Sequence, residues 1–269
     1  MRVRQPAVAG TFYPESSAAL RRTVDGLVAA VADPGPPPKA MIVPHAGYRY
    51  SGTMAALGYA TLPPAANLIR HVVLLGPCHR VGLPALALPD ADALATPLGD
   101  VPVWADGVAA VAGLPHVTTS RAAHAYEHSL EVHLPFLQHT LPDADVVPLA
   151  VGWVGAEDVA DVLDAVWGGP ETLIVVSSDL SHYLAYPQAC RRDAATIAQI
   201  VDLSGPLDAD QACGVWPVNG LLVAARRRHL VPQLVGACNS GDTCGDMARV
   251  VGYACIRFDE PAPLRGAGA

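Results

Sequence analysis

The stretch HVVLLGPCHRVG, residues 71–82, determines the predicted fold. Its apolar run, residues 72–75, stops at Gly-Pro, and His79 follows two residues after the proline. A short continuous apolar run bounded by such breakers is typical of a strand buried on both faces, as in the parallel sheets of α/β proteins. The stretch therefore predicts a central strand that ends beside a histidine.

Two further stretches repeat this pattern. KAMIVPHAGYRYSG, residues 39–52, brings His45 after an apolar run, and TLIVVSSDLSHY, residues 172–183, brings Asp179 and His182 after another. Ligands of open α/β sheets bind at the carboxyl ends of the strands. We therefore predict that the three histidines line one cleft at that edge of the sheet.

Helical patterns alternate with the apolar runs along the chain. This alternation is typical of βαβ units and predicts an α/β fold with a mostly parallel central sheet flanked by helices. Residues 1–260 are predicted to form a single domain, and residues 261–269 a flexible C-terminal tail. The predicted elements are strands at 40–44, 71–76, 145–151, 172–177 and 247–258, a β-rich excursion at 83–104, and helices at 17–31, 52–61, 104–113, 126–140, 156–167, 187–202 and 216–229.

The composition restricts the partners and the location. The formal net charge is −8 at pH 7. Nucleic acids and anionic membranes require a basic footprint, so neither is expected as a partner. No secretory signal pattern and no apolar run long enough to span a membrane are visible. The six cysteines include no CxxC pair, so we expect reduced thiols and a cytoplasmic location.

The segment YEHSLEVHLPFLQH, residues 126–139, contains three histidines and two glutamates. In the predicted helix His128 and Glu131 share one face, because they are three residues apart. His128 lies near the start of that helix, from which it reaches the cleft. His133 and His139 are predicted to be surface or structural residues.

The loop CNSGDTCGD, residues 238–246, contains further ligand types in Asp242, Cys244 and Asp246. Two histidines with a carboxylate suit iron(II), whereas two histidines with a thiolate suit a softer ion such as copper or zinc. A glycine-rich turn whose aspartates bond its own backbone is the alternative interpretation.

A metal-free hydrolase is another alternative. Ser177 or Ser178 would be the nucleophile with His182 as its base, or Cys238 or Cys244 would act with a histidine base. The serines, the aspartate and His182 are crowded on one short stretch, which argues against the alignment that a catalytic triad needs.

Seven motifs occur together in the order seen in the Memo family, which this chain resembles from about residue 5 to residue 258. They are VAGTFYP, PHAGYRYSG, GPCHRVG, TPLGDVPV, EHSLEVHLPFL, SSDLSHY and NSGDTCGD. Memo proteins are similar in fold to class III extradiol ring-cleaving dioxygenases, which hold iron(II) with two histidines and a glutamate. The resemblance therefore implies a metal-binding cleft in the same fold.

The resemblance also implies roles for individual residues. His45 and His79 match the two histidine ligands of a single iron(II) or copper ion. Cys244 matches most nearly the third, cysteine ligand of animal members, with Asp242 or Asp246 as alternatives. The catalytic residues that the resemblance implies are His182, which matches the acid/base histidine, Asp179 beside it, and the second cleft histidine, His128.

The function implied is that of a metal-binding protein with a dioxygenase-like cleft, acting as a non-haem iron- or copper-dependent oxidoreductase. The alternative is a protein that binds metal or a phosphopeptide without turnover. The cleft would hold a small molecule or a peptide. Microbial members of the family are often grouped with a radical-SAM protein and an AMMECR1-like protein, so a functional link to these proteins is expected.

Overall fold

The computed structural model describes residues 1–261, so the predicted tail lies outside the described residues apart from its first residue. The strands are β1 (Val3–Arg4), β2 (Ala40–Val43), β3 (His71–Pro77), β4 (Leu86–Leu88), β5 (Ala93–Thr96), β6 (Gly99–Pro102), β7 (Val117–Thr119), β8 (Asp145–Val151), β9 (Thr172–Ser177), β10 (His182–Leu184), β11 (Val231–Asn239) and β12 (Val250–Asp259). The helices are α1 (Ser17–Ala29), α2 (Tyr48–Tyr59), α3 (Ala105–Val111), α4 (Arg121–Ala125), α5 (Leu134–Thr140), α6 (Ala156–Ala165), α7 (Tyr186–Val201), α8 (Val215–Arg227) and α9 (Ser240–Cys244).

Within residues 1–261, the main sheet has nine strands in the order β10-β12-β2-β9-β3-β8-β4-β7, with β11 paired to β12. The four central strands, β2, β9, β3 and β8, are parallel to one another. Strands β12 and β4 join them antiparallel on either side. The predicted α/β fold with a parallel central sheet and flanking helices is confirmed. Among the described helices, none combines the length and the apolar character needed to cross a membrane.

Strand β3 explains why the run at 72–75 is apolar at every position. Val73 and Leu75 face a core that they share with helices α6 and α8. Val72 and Leu74 face a second core, shared with helices α1, α2 and α5. Side chains alternate between the two faces of a strand, so a strand covered on both faces needs an apolar residue at each position.

Helix α2 begins four residues before its predicted start. Gly47 occupies the N-cap position, and Tyr48 is the first helical residue. Ser51 lies in the first turn, where its hydroxyl donates to the carbonyl of Ala46 at 3.0 Å. The helix therefore starts directly after the segment that carries His45.

The predicted helix at 126–140 is wrong in its first half. Residues 126–130 are irregular, a 3₁₀ turn follows at Glu131–His133, and α5 begins only at Leu134. The two glutamates account for this difference, because Glu127 accepts the backbone N–H of His79 and Glu131 accepts those of Ala7 and Val8, all from other segments. These bonds hold the segment in an irregular path with turns instead of a continuous helix.

Strand β11 was not predicted from the sequence. Its segment VPQLVGACN contains Pro232 and Gly236, which interrupt a strand pattern. The pairing with β12 has an irregular register between Leu234 and Gly236, so the strand accommodates these residues with a local distortion.

Candidate metal centre

Three imidazole rings meet at the carboxyl edge of the sheet, on His45, His79 and His128. The ring centroids of His45 and His79 are 5.2 Å apart, those of His45 and His128 are 5.4 Å apart, and His79 stacks on His128 at 4.7 Å. One ring nitrogen from each residue lies within 4.8 Å of the other two. Across residues 1–261, no other three ligating side chains converge in this way.

The tautomer of His45 follows from its hydrogen bonds. His45 is buried, and its Nδ1 lies 2.6 Å from the Oγ of Ser177. The Ser177 hydroxyl donates to the carbonyl of Ser129 at 2.7 Å, so it accepts from Nδ1–H. The other ring nitrogen, Nε2, is therefore unprotonated and is the nitrogen that could bind a metal ion.

His79 is oriented by the buried carboxylate of Glu127. Its Nδ1 donates to Glu127 Oε1 at 2.9 Å, and Glu127 also accepts the backbone N–H groups of His79, His128 and Ser129 at 2.5–2.9 Å. Burial alone would raise the pKa of Glu127, but the hydrogen bond and charge of His79 and the backbone donors lower it to about 2. An ionised carboxylate behind a histidine is the usual support of a metal ligand.

His128 completes the cluster. Its ring packs on Phe12 with centroids 4.6 Å apart. Its Nδ1 is buried and has no hydrogen-bond partner among the described residues, although Glu127 Oε1 lies 3.4 Å away. A buried polar atom without a partner is costly, so the position of the His128 ring is held by its surroundings against that cost.

The surroundings of the cluster favour the neutral form of two of its rings, those of His45 and His128. Burial lowers the pKa of His45 well below its ordinary value, and the neighbouring His79 and His128 lower it further. Burial lowers the pKa of His128 to about 4, against the raising effect of Glu127. Metal binding requires neutral imidazole, and imidazole suits iron, copper, zinc and nickel. The donor set therefore fits a metal ion of this group.

A thiol that the sequence analysis did not select lies beside the cluster. The Sγ of Cys213 is 3.2 Å from Nε2 of His45 and accepts the backbone N–H of Asp179 at 3.3 Å. Burial raises the pKa of this thiol, and the charge of Asp179 raises it further. Cys213 is distant in sequence from each cluster histidine, so no local motif could identify it.

Cys244 lies elsewhere. It is exposed at the end of α9, and its Sγ is 3.9 Å from the carbonyl oxygen of Arg49. It is not among the described side chains whose ligating atoms converge with the histidines. Asp242 accepts the Tyr186 hydroxyl and the Asn239 N–H, and Asp246 accepts a backbone N–H, as in the alternative interpretation of this loop as a turn.

Asp179 and His182 lie beside the cluster, but they do not pair. Oδ1 of Asp179 accepts the backbone N–H of His45 at 2.8 Å, whereas Nδ1 of His182 donates to the carbonyl of Leu180 at 2.8 Å. Burial raises the pKa of Asp179 to about 7, although the backbone donors of His45 and Ala46 oppose the shift. Asp179 thus positions a cluster histidine, and the backbone orients His182.

The serines do not form a catalytic triad with His182. Ser178 Oγ donates to the carbonyl of Asp179 and accepts the N–H of Gly214. Ser177 is fully buried and uses its hydroxyl hydrogen on a carbonyl. Both hydroxyls are therefore engaged in hydrogen bonds that do not involve His182.

These observations define a class of protein, an α/β protein with a three-histidine cluster that could hold a metal ion at the carboxyl edge of its sheet. The family model described as Memo-like protein matches residues 4–257. The chain belongs to the Memo-like protein family.

Curated relatives agree with this assignment. A MEMO1 family protein of Aquifex aeolicus is 37% identical over 96% of this chain and 100% of its own length. A MEMO1 family protein of Metallosphaera sedula is 33% identical over 96% of this chain and 99% of its own length. Among solved structures, an uncharacterised protein of Escherichia coli K12 matches with a TM-score of 0.52 at 14% identity, covering 81% of this chain and 98% of that one, which supports the fold alone.

We expect Glu127→Gln to weaken metal binding by about 10–100-fold, because the neutral amide no longer supports the His79 ligand. The measurement is competition for zinc with a chromophoric chelator. Asp145→Asn is the matched control, since Asp145 pairs with Nδ1 of His71 at 2.7 Å at the opposite end of β3. Equal losses of zinc affinity in both variants would contradict the role of Glu127 in supporting His79.

Buried histidines predict how stability depends on pH. Burial lowers the pKa of His124 to about 4, that of His128 to about 4 and that of His133 to about 3. Between pH 6.5 and pH 4 the unfolded chain binds protons that the folded chain does not, so the free energy of unfolding falls as the pH falls. Burial raises the pKa of Asp179 to about 7 and also raises the pKa of Asp193, so these two carboxyl groups oppose the trend.

We therefore expect the metal-free protein to lose more than about 1.4 kcal/mol between pH 6.5 and pH 5.5, measured by urea unfolding. His133→Leu should reduce the slope of unfolding free energy against pH by an amount that corresponds to about one bound proton. The reason is that neither ring nitrogen of His133 has a hydrogen-bond partner in the described core. His139→Gln is the control, because His139 lies at the surface beside Asp25. A flat pH profile would contradict the prediction.

Proposed function

We propose that this chain is a metal-dependent oxidoreductase with a dioxygenase-like cleft, which holds one iron(II) or copper ion on His45, His79 and His128. The observation that carries the proposal is the convergence of three ring nitrogens within 4.8 Å. A bound ion of this kind supplies redox chemistry and Lewis acidity at positions that the protein ligands leave open. Cys213 is the nearest thiol and a candidate fourth donor.

In this proposal His182 accepts a proton from the substrate. Its Nδ1–H is held by the carbonyl of Leu180, so Nε2 is the nitrogen available as a base. Burial lowers the pKa of His182, which keeps the ring neutral at pH 7. Asp179 holds the backbone of His45 and so positions a ligand for the ion. The substrate is a small molecule that enters the cleft beside these residues.

The test is oxygen consumption by iron(II)-loaded protein with a panel of catechols. We expect substrate-dependent oxygen uptake that falls by about 100-fold or more in His182→Asn, while the iron content stays the same. His116→Asn is the control, because His116 is exposed beside Asp158 on another part of the surface. Iron binding without oxygen uptake with any substrate would favour a binding protein without turnover.

A further inference from the structure

A groove of about 630 Å³ lies between helix α7 and strand β11. Its walls are mainly apolar and include Ile197, Ala198 and Val201 of α7 and Leu234 and Ala237 of β11. Small-molecule sites are typically clefts of this size, lined by apolar side chains with a few polar groups. None of the three cluster histidines lines the groove, so it is distinct from the candidate metal centre.

Small side chains of α7 leave the space that the groove occupies. Cys190, Ala194 and Ala198 follow one another at intervals of four residues, so they share one face of the helix. All three residues are exposed, and Leu234 of β11 is 46% exposed although its side chain is large and apolar. A ligand in the groove would therefore cover apolar surface that the fold leaves open to water.

The charged side chains that line the groove are all carboxylates. They belong to Asp193, Asp202 and Asp242, and no Lys, Arg or His occurs among the described residues of its lining. Asp242 already accepts the Tyr186 hydroxyl and the backbone N–H of Asn239. The charge of the groove is thus complementary to a cationic ligand.

Asp193 provides the most buried of these carboxylates, since the residue is only 7% exposed. It packs against strand β12, because a Cβ atom added at Gly252 would lie 1.9 Å from its Oδ2. Its Oδ1 accepts the backbone N–H of Ser181 at 3.0 Å, whereas the adjacent Arg192 pairs with Asp210. Burial raises the pKa of Asp193, so a cation beside it would offset the cost of its buried charge.

We propose that the groove between α7 and β11 binds a small organic cation with an apolar body, whose ammonium or guanidinium group pairs with Asp193. A charge-assisted hydrogen bond to the carboxylate would fix the cationic end. The apolar body would lie over Ala198 and cover Leu234. The inference goes beyond the proposed function, because the groove contains no residue of the histidine cluster.

The test is calorimetric titration of the purified chain at neutral pH with four probes: hexylammonium, 1-hexanol, hexanoate and ethylammonium. We expect hexylammonium to bind about tenfold more tightly than hexanol, because only the cation forms a charge-assisted hydrogen bond. Ethylammonium should bind at least about tenfold more weakly than hexylammonium, because it buries fewer methylene groups. Hexanoate should bind most weakly. Equal affinity for hexylammonium, hexanol and hexanoate would overturn the proposal.

Variants locate the binding in the groove. Asp193→Asn keeps an acceptor oxygen for the N–H of Ser181 and removes the charge, so it should weaken hexylammonium binding about tenfold and leave hexanol binding unchanged. Ala198→Trp fills the groove at an exposed position, so it should fold normally and weaken the binding of both probes by about tenfold or more. The controls are Asp106→Asn, at an exposed aspartate of α3, and Ala195→Trp, at an exposed alanine of α7 outside the lining. Unchanged binding in both test variants would overturn the proposal.

Sedimentation of the same samples tests a second copy of the chain as the alternative occupant. We expect wild type and Ala198→Trp to sediment alike, with hexylammonium bound only by wild type. A wild-type dimer that Ala198→Trp dissociates, together with no binding of hexylammonium, would overturn the proposal in favour of an interface between copies.

Discussion

The double variant His45→Ala/His79→Ala is expected to bind no stoichiometric iron or copper. Each substitution removes an imidazole that contributes one ring nitrogen to the cluster, and His128 alone cannot hold the ion. The measurement is metal analysis by mass spectrometry on protein purified without an affinity tag or chelator, then loaded anaerobically with iron(II) or copper(I). Wild type should reach about one ion per chain.

The control for this experiment is His71→Ala/His139→Ala. Both residues pair with an aspartate, and neither belongs to the cluster. The control variant should load like wild type. Equal metal content in the double variant and wild type would place the ion elsewhere.

The second large effect is expected at Glu131, which is buried and ion-paired with Arg4. Glu131 also accepts the Tyr13 hydroxyl at 2.5 Å and the backbone N–H groups of Ala7 and Val8. Glu131→Gln leaves the guanidinium of Arg4 buried without its countercharge, so we expect a loss of about 3–5 kcal/mol in the free energy of unfolding. Urea unfolding at pH 7 measures this loss.

The same variant should reduce metal affinity. Arg4 donates to the carbonyls of His124 and Glu127. The Arg4–Glu131 pair therefore connects the N-terminal segment to the segment that carries His128. Glu157→Gln is the control, because Glu157 pairs with Arg227 at the exposed surface, where loss of a pair costs less than about 1 kcal/mol. Similar unfolding free energies for both variants would contradict the claim that burial makes the loss of the Arg4–Glu131 pair more costly.

The sequence was sufficient for the central strands and for part of the site. Apolar runs closed by Pro, Gly or Ser define β2, β3 and β9, and parallel strands bring their carboxyl ends to one edge. His45 and His79 follow two of these strands, and the fold places their rings 5.2 Å apart. Local pattern and topology together account for this agreement.

The sequence could not predict the features that contacts between distant residues determine. The path of His128 depends on Glu127 and Glu131, whose carboxylates bind distant backbone groups instead of stabilising a helix. Cys213 lies next to His45 because α8 begins beside the end of β9, where the backbone N–H of Gly214 donates to the Ser178 hydroxyl. Neither contact has a signature in the spacing of the residues, so the predicted third ligand was Cys244, chosen from the ligand types of its loop and from the resemblance.

The most direct test of the three-histidine centre is X-ray absorption at the iron edge of the iron(II)-loaded protein. We predict scattering from three imidazole rings with nitrogen at about 2.1 Å, reduced to two rings in His128→Ala. A spectrum with oxygen ligands alone, or one that His128→Ala leaves unchanged, would contradict the assignment of His45, His79 and His128 as the metal ligands.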